Sequence, residues 1–122
     1  MLLVDDSDFM RQAIQRTIER PEDQIQTASN GVEALRIVEF FDPEIVTMDI
    51  SMPEMDGATA TRLIRALPDG KANIPIVALS AHAMAGDRER YLAQGMDDYV
   101  TKPVDPPTLF RAMARVTGMD QG

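Results

Sequence analysis

Apolar runs and helical repeats alternate along this chain. Met1–Val4 is apolar throughout and stops abruptly at Asp5-Asp6. Beyond it, Met10, Ala13, Ile14, Thr17 and Ile18 recur at the spacing of one helix face, which predicts a helix from a Ser7 or Asp8 cap to about Arg20, ended by Pro21. Ile25–Ser29 is a short, weak strand candidate. Asn30-Gly31 opens a second helix with Ala34, Leu35, Val38 and Phe41 at helical spacing, closed by Pro43. Ile45–Ile50 is apolar and β-branched apart from Asp49, which predicts a buried strand. After a loop with Pro53 and Gly57, Ala60, Leu63, Ile64 and Leu67 mark a third helix, broken by Pro68 and Gly70. Pro75–Ser80 reads as another buried strand. A fourth helix, about Met84–Gln94, is thin in large apolar residues and contains Gly86, with Gly95 suited to cap it. Asp98–Thr101 is a last strand. Asp105 then caps a helix that has Pro106 at its first position and Leu109, Met113 and Val116 on its buried face.

The pattern is a βα unit repeated five times. Strands this continuously apolar are buried on both faces, as in a parallel sheet with helices on each side. The expected fold class is therefore a doubly wound α/β domain with a five-stranded parallel sheet. With 122 residues and no linker or low-complexity tract, one domain over 1–122 is expected, with 117–122 a linker stub.

Composition narrows the function. Cysteine is absent, which removes a disulfide framework and zinc–thiolate sites and suits a reducing compartment. No apolar run approaches the roughly 18 residues of a membrane span, and no signal peptide opens the chain, so the expectation is a cytoplasmic protein without membrane insertion. The net charge of -8 comes without a Lys/Arg cluster, which argues against direct nucleic-acid binding. Such a charge is either a solvated acidic surface or a set of acids crowded around a cation.

The order of polar residues favours the second reading at one edge. Ligands of open α/β sheets bind outside the carboxyl ends of the strands. Asp5 and Asp6 end the first strand, Asp49 lies near the end of the third, Ser80 ends the fourth and Lys102 follows the fifth. Taken singly, an Asp pair reads as helix capping and surface charge, a Ser after a strand as a cap and a Lys as a solvated charge. Together they are a constellation. Like charges about 4 Å apart repel by roughly 4 kcal/mol at an effective dielectric near 20, so three carboxylates there require a cation or a proton. Oxygen ligands without His or Cys favour Mg2+ or Mn2+. Asp49 could then attack phosphorus as a nucleophile, with Lys102 neutralising the phosphoryl oxygens and the Ser80 hydroxyl donating to one of them.

These residues carry a resemblance. Val4-Asp5-Asp6-Ser7, Met48-Asp49-Ile50-Ser51-Met52-Pro53-Glu54-Met55-Asp56-Gly57, Ala78-Leu79-Ser80-Ala81, Gly95-Met96-Asp97-Asp98-Tyr99 and Lys102-Pro103 are similar to the motifs of the receiver domain of bacterial two-component response regulators. The resemblance spans nearly the whole chain. It implies a flavodoxin-like, chemotaxis-regulator-like (βα)5 fold with strand order 2-1-3-4-5. It implies Asp49 as phosphoryl acceptor, and Asp6 and Asp49 as direct metal ligands. Asp5 would ligate largely through water, and the Ser51 backbone carbonyl would be a further ligand. Lys102 would pair with the acceptor or its phosphoryl group, aimed by a cis Lys102-Pro103 bond. Ser80 and Tyr99 would form a switch pair acting on the face built by the fourth helix, fifth strand and fifth helix. Ser51 and His82 would face the attacking water and tune phosphoryl lifetime, although the plainer reading of His82 is an exposed loop imidazole. The implied phosphodonor is a histidine kinase or a histidine phosphotransfer protein. The implied activity is self-phosphorylation and slow self-hydrolysis, not turnover of outside substrates.

Met1 already lies inside the first strand, where relatives carry a few residues before it. Ala81–Tyr99 resembles receivers fused to hybrid histidine kinases, so a fused kinase or output domain outside this chain is one expectation; a single-domain regulator is the alternative. Two other classes fit less well. Asp6-Ser7-Asp8 has the spacing of a haloacid-dehalogenase-type phosphatase, but such enzymes need a longer chain and use a first-strand nucleophile. A pseudo-receiver that only binds partners would not need all of Asp5, Asp6, Asp49, Ser80 and Lys102.

Overall fold

The computed structural model describes residues 1–17, 25–41, 43–50, 52, 55–68, 70–81, 86–102 and 104–118. Its strands are β1 (Leu2–Val4), β2 (Gln26–Ala28), β3 (Val46–Asp49), β4 (Ile76–Ser80) and β5 (Asp98–Thr101). Its α-helices are α1 (Asp8–Thr17), α2 (Gly31–Phe40), α3 (Gly57–Arg65), α4 (Asp87–Ala93) and α5 (Pro106–Thr117). The strands are parallel and ordered β2-β1-β3-β4-β5, the order that the resemblance implies. Successive connections leave the sheet in opposite directions from β1, so the gap between β1 and β3 is the topological switch point.

Strand alternation builds a core on each face. Leu2, Val4, Val46, Met48, Ile76 and Ala78 pack with Val38 of α2, Ile64 of α3 and Tyr91 of α4. Leu3, Val77, Leu79 and Val100 pack on the other side with Ile14 of α1 and with Leu109 and Met113 of α5. Capping side chains fix where the helices start. The Met10 N–H donates to Ser7 Oγ, Glu33 N–H to Asn30, Thr59 N–H to Asp56 and Thr108 N–H to Asp105. Among the described residues no helix is long and apolar enough to cross a membrane.

Three expectations are corrected. Phe41 does not share the buried face of α2: it is the extended residue that ends the helix and is exposed. Leu63 of α3 is partly exposed, because Ala60, Thr61 and Ile64 supply the buried face. Gly86 is not inside the fourth helix. It adopts a left-handed conformation, φ 88°, and α4 begins after it. The predicted start at Met84 and Ala85, and the predicted helix end at 18–20, lie outside the described residues.

Candidate functional site

The carboxyl edge of the sheet gathers the predicted acids. Carboxylate oxygens of Asp5, Asp6 and Asp49 lie within 4.8 Å of one another. Asp5 and Asp49 are buried; Asp6, one residue further into the loop, is exposed. The loop after β1 is held locally, with the Ser7 N–H donating to Asp5 Oδ1 at 2.9 Å and the Arg11 guanidinium donating to the Asp5 carbonyl. The loop after β3 is pinned from the other side, where the Gly57 N–H donates to the Ile50 carbonyl.

Lys102 enters from the end of β5, its backbone N–H bonded to the Ser80 carbonyl at 2.7 Å. Its ammonium lies 3.0 Å from Asp5 Oδ2 and donates to Asp49 Oδ1 at 3.1 Å. Burial, the largest single influence, favours the neutral amine. The hydrogen bonds and charges of Asp5 and Asp49 together outweigh it and raise the Lys102 pKa above its ordinary value. Three carboxylates against one ammonium leave two formal negative charges, the balance a divalent cation restores. Asp5 Oδ2 is buried, and the Lys102 ammonium at 3.0 Å is its ionic partner. The donor set is oxygen only. These features fit a hard cation such as magnesium.

A cleft of about 660 Å³ opens beside the acids, lined by Asp6, Ile50, Met52, Asp56, Arg90 and Tyr91. Asp56, its carboxyl held below its ordinary pKa by the Thr59 backbone N–H, caps α3 at the rim. The chain matches the response regulator receiver domain family over residues 1–114.

It belongs to that family.

This receiver domain is similar to a 14.6 kDa protein in the sodA1 3' region of Leptolyngbya boryana, 39% identical over 91% of this chain and 84% of that protein. It is 36% identical to sensor protein GacS of Pseudomonas syringae pv. syringae over 98% of this chain, and spans 13% of the length of that protein. The solved receiver domain of sensor histidine kinase PA1611 from Pseudomonas aeruginosa PAO1 superposes with a TM-score of 0.81 at 34% identity, covering 96% of this chain and 95% of that one. That structure has a magnesium ion coordinated in its active-site cleft.

Asp5, Asp6, Asp49 and Lys102 thus converge as the sequence suggested. Ser80 and Tyr99 are related through a third residue. Ser80 Oγ lies 2.8 Å from the hydroxyl of Tyr91, and the Tyr91 and Tyr99 rings are 5.7 Å apart. Sequence reasoning missed Tyr91. The available signal was a single large aromatic in an otherwise charged helix. Asp8, the second acid of the phosphatase-like spacing, is exposed and paired with Arg11, away from the cluster. Ser51, His82 and Pro103, with the backbone ligand, lifetime and cis-bond expectations they carry, lie outside the described residues.

Proposed function

We propose that this receiver domain takes a phosphoryl group on Asp49. The observation that carries the reading is the Lys102 ammonium set between Asp5 and Asp49 inside a three-carboxylate cluster at the switch point. An Asp49 oxygen attacks phosphorus in line. The Asp49 O–P bond forms as the P–N bond of a phosphohistidine donor, or the P–O bond of a small acyl phosphate, breaks, and the imidazole or carboxylate leaves. Lys102 holds its proton through the step and neutralises charge on the phosphoryl oxygens. The Ser80 hydroxyl donates to one of those oxygens. Asp6 and Asp49 would hold magnesium or manganese directly and Asp5 largely through water, with the Ser51 carbonyl as a further ligand. Such an ion supplies charge neutralisation between the carboxylates and the phosphoryl oxygens.

When the Ser80 hydroxyl moves to the phosphoryl group, Tyr99 turns inward and the α4–β5–α5 face changes shape. This biases two pre-existing states. The domain then hydrolyses its own acyl phosphate slowly and acts on no outside substrate. Ser51 and His82 are the candidates for setting that lifetime. The phosphodonor is a histidine kinase or histidine phosphotransfer protein, and the output is a partner or a fused domain. The proposed location is the cytoplasm.

Reduction by borohydride after phosphorylation tests the acceptor, because it converts an aspartyl phosphate to homoserine. Peptide mapping is expected to find homoserine at position 49 alone. Homoserine at position 5 or 6 would contradict the assignment.

A further inference from the structure

Ser80 Oγ is 2.8 Å from the Tyr91 hydroxyl, in a buried contact between the end of β4 and the middle of α4. Both residues are about 3% exposed. The sheet register gives this bond a consequence. Asp49 pairs with Leu79, and Leu79 packs on the α1/α5 face. Alternation turns the next residue, Ser80, to the opposite face, that of Ile76, Ala78 and Tyr91. The hydroxyl therefore rests against α4, on the other side of the sheet from the face that Asp49 shares with Leu79. To reach a phosphoryl group at the sheet edge it must rotate about χ1 and give up its bond to Tyr91.

Tyr91 is fixed independently. Its ring packs against Tyr99, and the Arg90 guanidinium, 3.4 Å from the hydroxyl, adds a second polar contact. The α4 backbone after it is closed by the Met96 N–H, which donates to the Tyr91 carbonyl. A rigid phenol of this kind offers Ser80 a defined resting partner. Water does not readily take its place, because the contact is buried.

We propose that Tyr91 is a positioning residue for phosphorylation, holding the Ser80 side chain against α4 until the phosphoryl group competes for its hydroxyl. The inference rests on Asp49 as acceptor and on the Ser80 hydroxyl as a hydrogen-bond donor to the phosphoryl group. The same bond ties β4 to α4, so its loss on phosphorylation frees α4 from a buried anchor at the moment the chemistry occurs. Removing the Tyr91 hydroxyl raises the resting state relative to both the phosphoryl-transfer transition state and the product, in which Ser80 has already left. Phosphorylation should therefore accelerate while hydrolysis stays unchanged.

The test follows adduct formation by intact mass with acetyl phosphate and magnesium, and adduct decay after donor removal. It compares wild type, Tyr91→Phe, Ser80→Ala and the double variant. Tyr91→Phe is expected to be phosphorylated roughly three- to tenfold faster, the size of one hydroxyl hydrogen bond, with decay within about twofold of wild type. In the Ser80→Ala background Tyr91→Phe should add nothing, an interaction that a general loosening of the fold would not produce. Tyr91→Met, smaller but flexible enough to fill much of the same space and also without a hydroxyl, should repeat the gain and stands in if Tyr91→Phe does not fold. An unchanged or slower phosphorylation rate, a gain that persists without Ser80, or an equal rise in decay would overturn the role of Tyr91 while leaving the acceptor intact. A folded wild type that forms no adduct would overturn the acceptor reading and this inference with it.

Discussion

Lys102 Nζ donates to Asp49 Oδ1 at 3.1 Å, linking the residue after β5 to the end of β3 across the intervening strand β4. The cation therefore occupies the same carboxylates that a metal ion would use. Lys102→Met should raise magnesium affinity about tenfold, since a competing charge is removed from a partly buried site. It should also lower metal-free stability by about 1–3 kcal/mol, because the acids lose their counter-charge. Calorimetric titration and urea unfolding in chelator would measure the two effects. Weaker magnesium binding by the variant would show that Lys102 organises the site more than it competes for it.

Gly57 sets the distance between β3, which carries Asp49, and α3. A Cβ there would lie 2.3 Å from the Asp49 carbonyl oxygen and 3.0 Å from Met48 Cγ, and a backbone atom cannot rotate away. Gly57→Ala is expected to destabilise the domain by about 1–3 kcal/mol and to slow adduct formation about tenfold or more by displacing Asp49. A variant with normal phosphorylation kinetics would mean that α3 shifts without moving Asp49.

Asp56 caps α3 with a carboxylate whose pKa is lowered, first by the Thr59 backbone N–H and then by the Thr59 side chain. A depressed carboxylate contributes stability that is present above its unfolded value of 3.8 and is lost as pH falls through the lower folded value. Asp56→Ala should cost about 0.5–2 kcal/mol at neutral pH, and the gap to wild type should narrow only at pH below about 4. Urea midpoints measured from pH 7 down to pH 3 decide it. A gap that closes already at pH 5 to 6 would contradict the cap.

Asp98 is a buried carboxylate at the start of β5, held by Arg115 of α5 at 2.6 and 2.8 Å and by Arg88 of α4 at 3.0 Å. It joins both helices of the proposed output face to one strand. Arg115→Ala should cost about 1.5–3 kcal/mol, more than Arg88→Ala, because two of the three arginine bonds come from Arg115. Equal losses in urea unfolding would assign the two arginines equal shares.

Much of this molecule was legible in the chain. Leu2–Val4, Val46–Met48 and Ile76–Leu79 read as strands because burial on both faces leaves them almost no polar position, and the polar residues that interrupt them mark the sheet edge. What stayed hidden depends on contacts between residues distant in sequence. Arg65 donates to the carbonyls of Ala72, Ile74 and Gly95 and to Asp97, yet in the sequence it is one more charge at a helix end. Tyr91 gave no periodic signal because α4 is short and buries only Asp87 and Tyr91 among its described residues. Phe41 fitted a helical repeat whose last member falls one residue past the helix.

Asp49 is the proposed phosphoryl acceptor of a metal-assisted site. Intact mass after incubation with acetyl phosphate, with and without magnesium, for wild type and Asp49→Asn, tests it most directly. One added phosphoryl group that requires the metal and is absent from the folded variant is the expected result. An adduct of equal yield in Asp49→Asn, or none in wild type even with rapid quenching and a phosphohistidine donor, would contradict the claim.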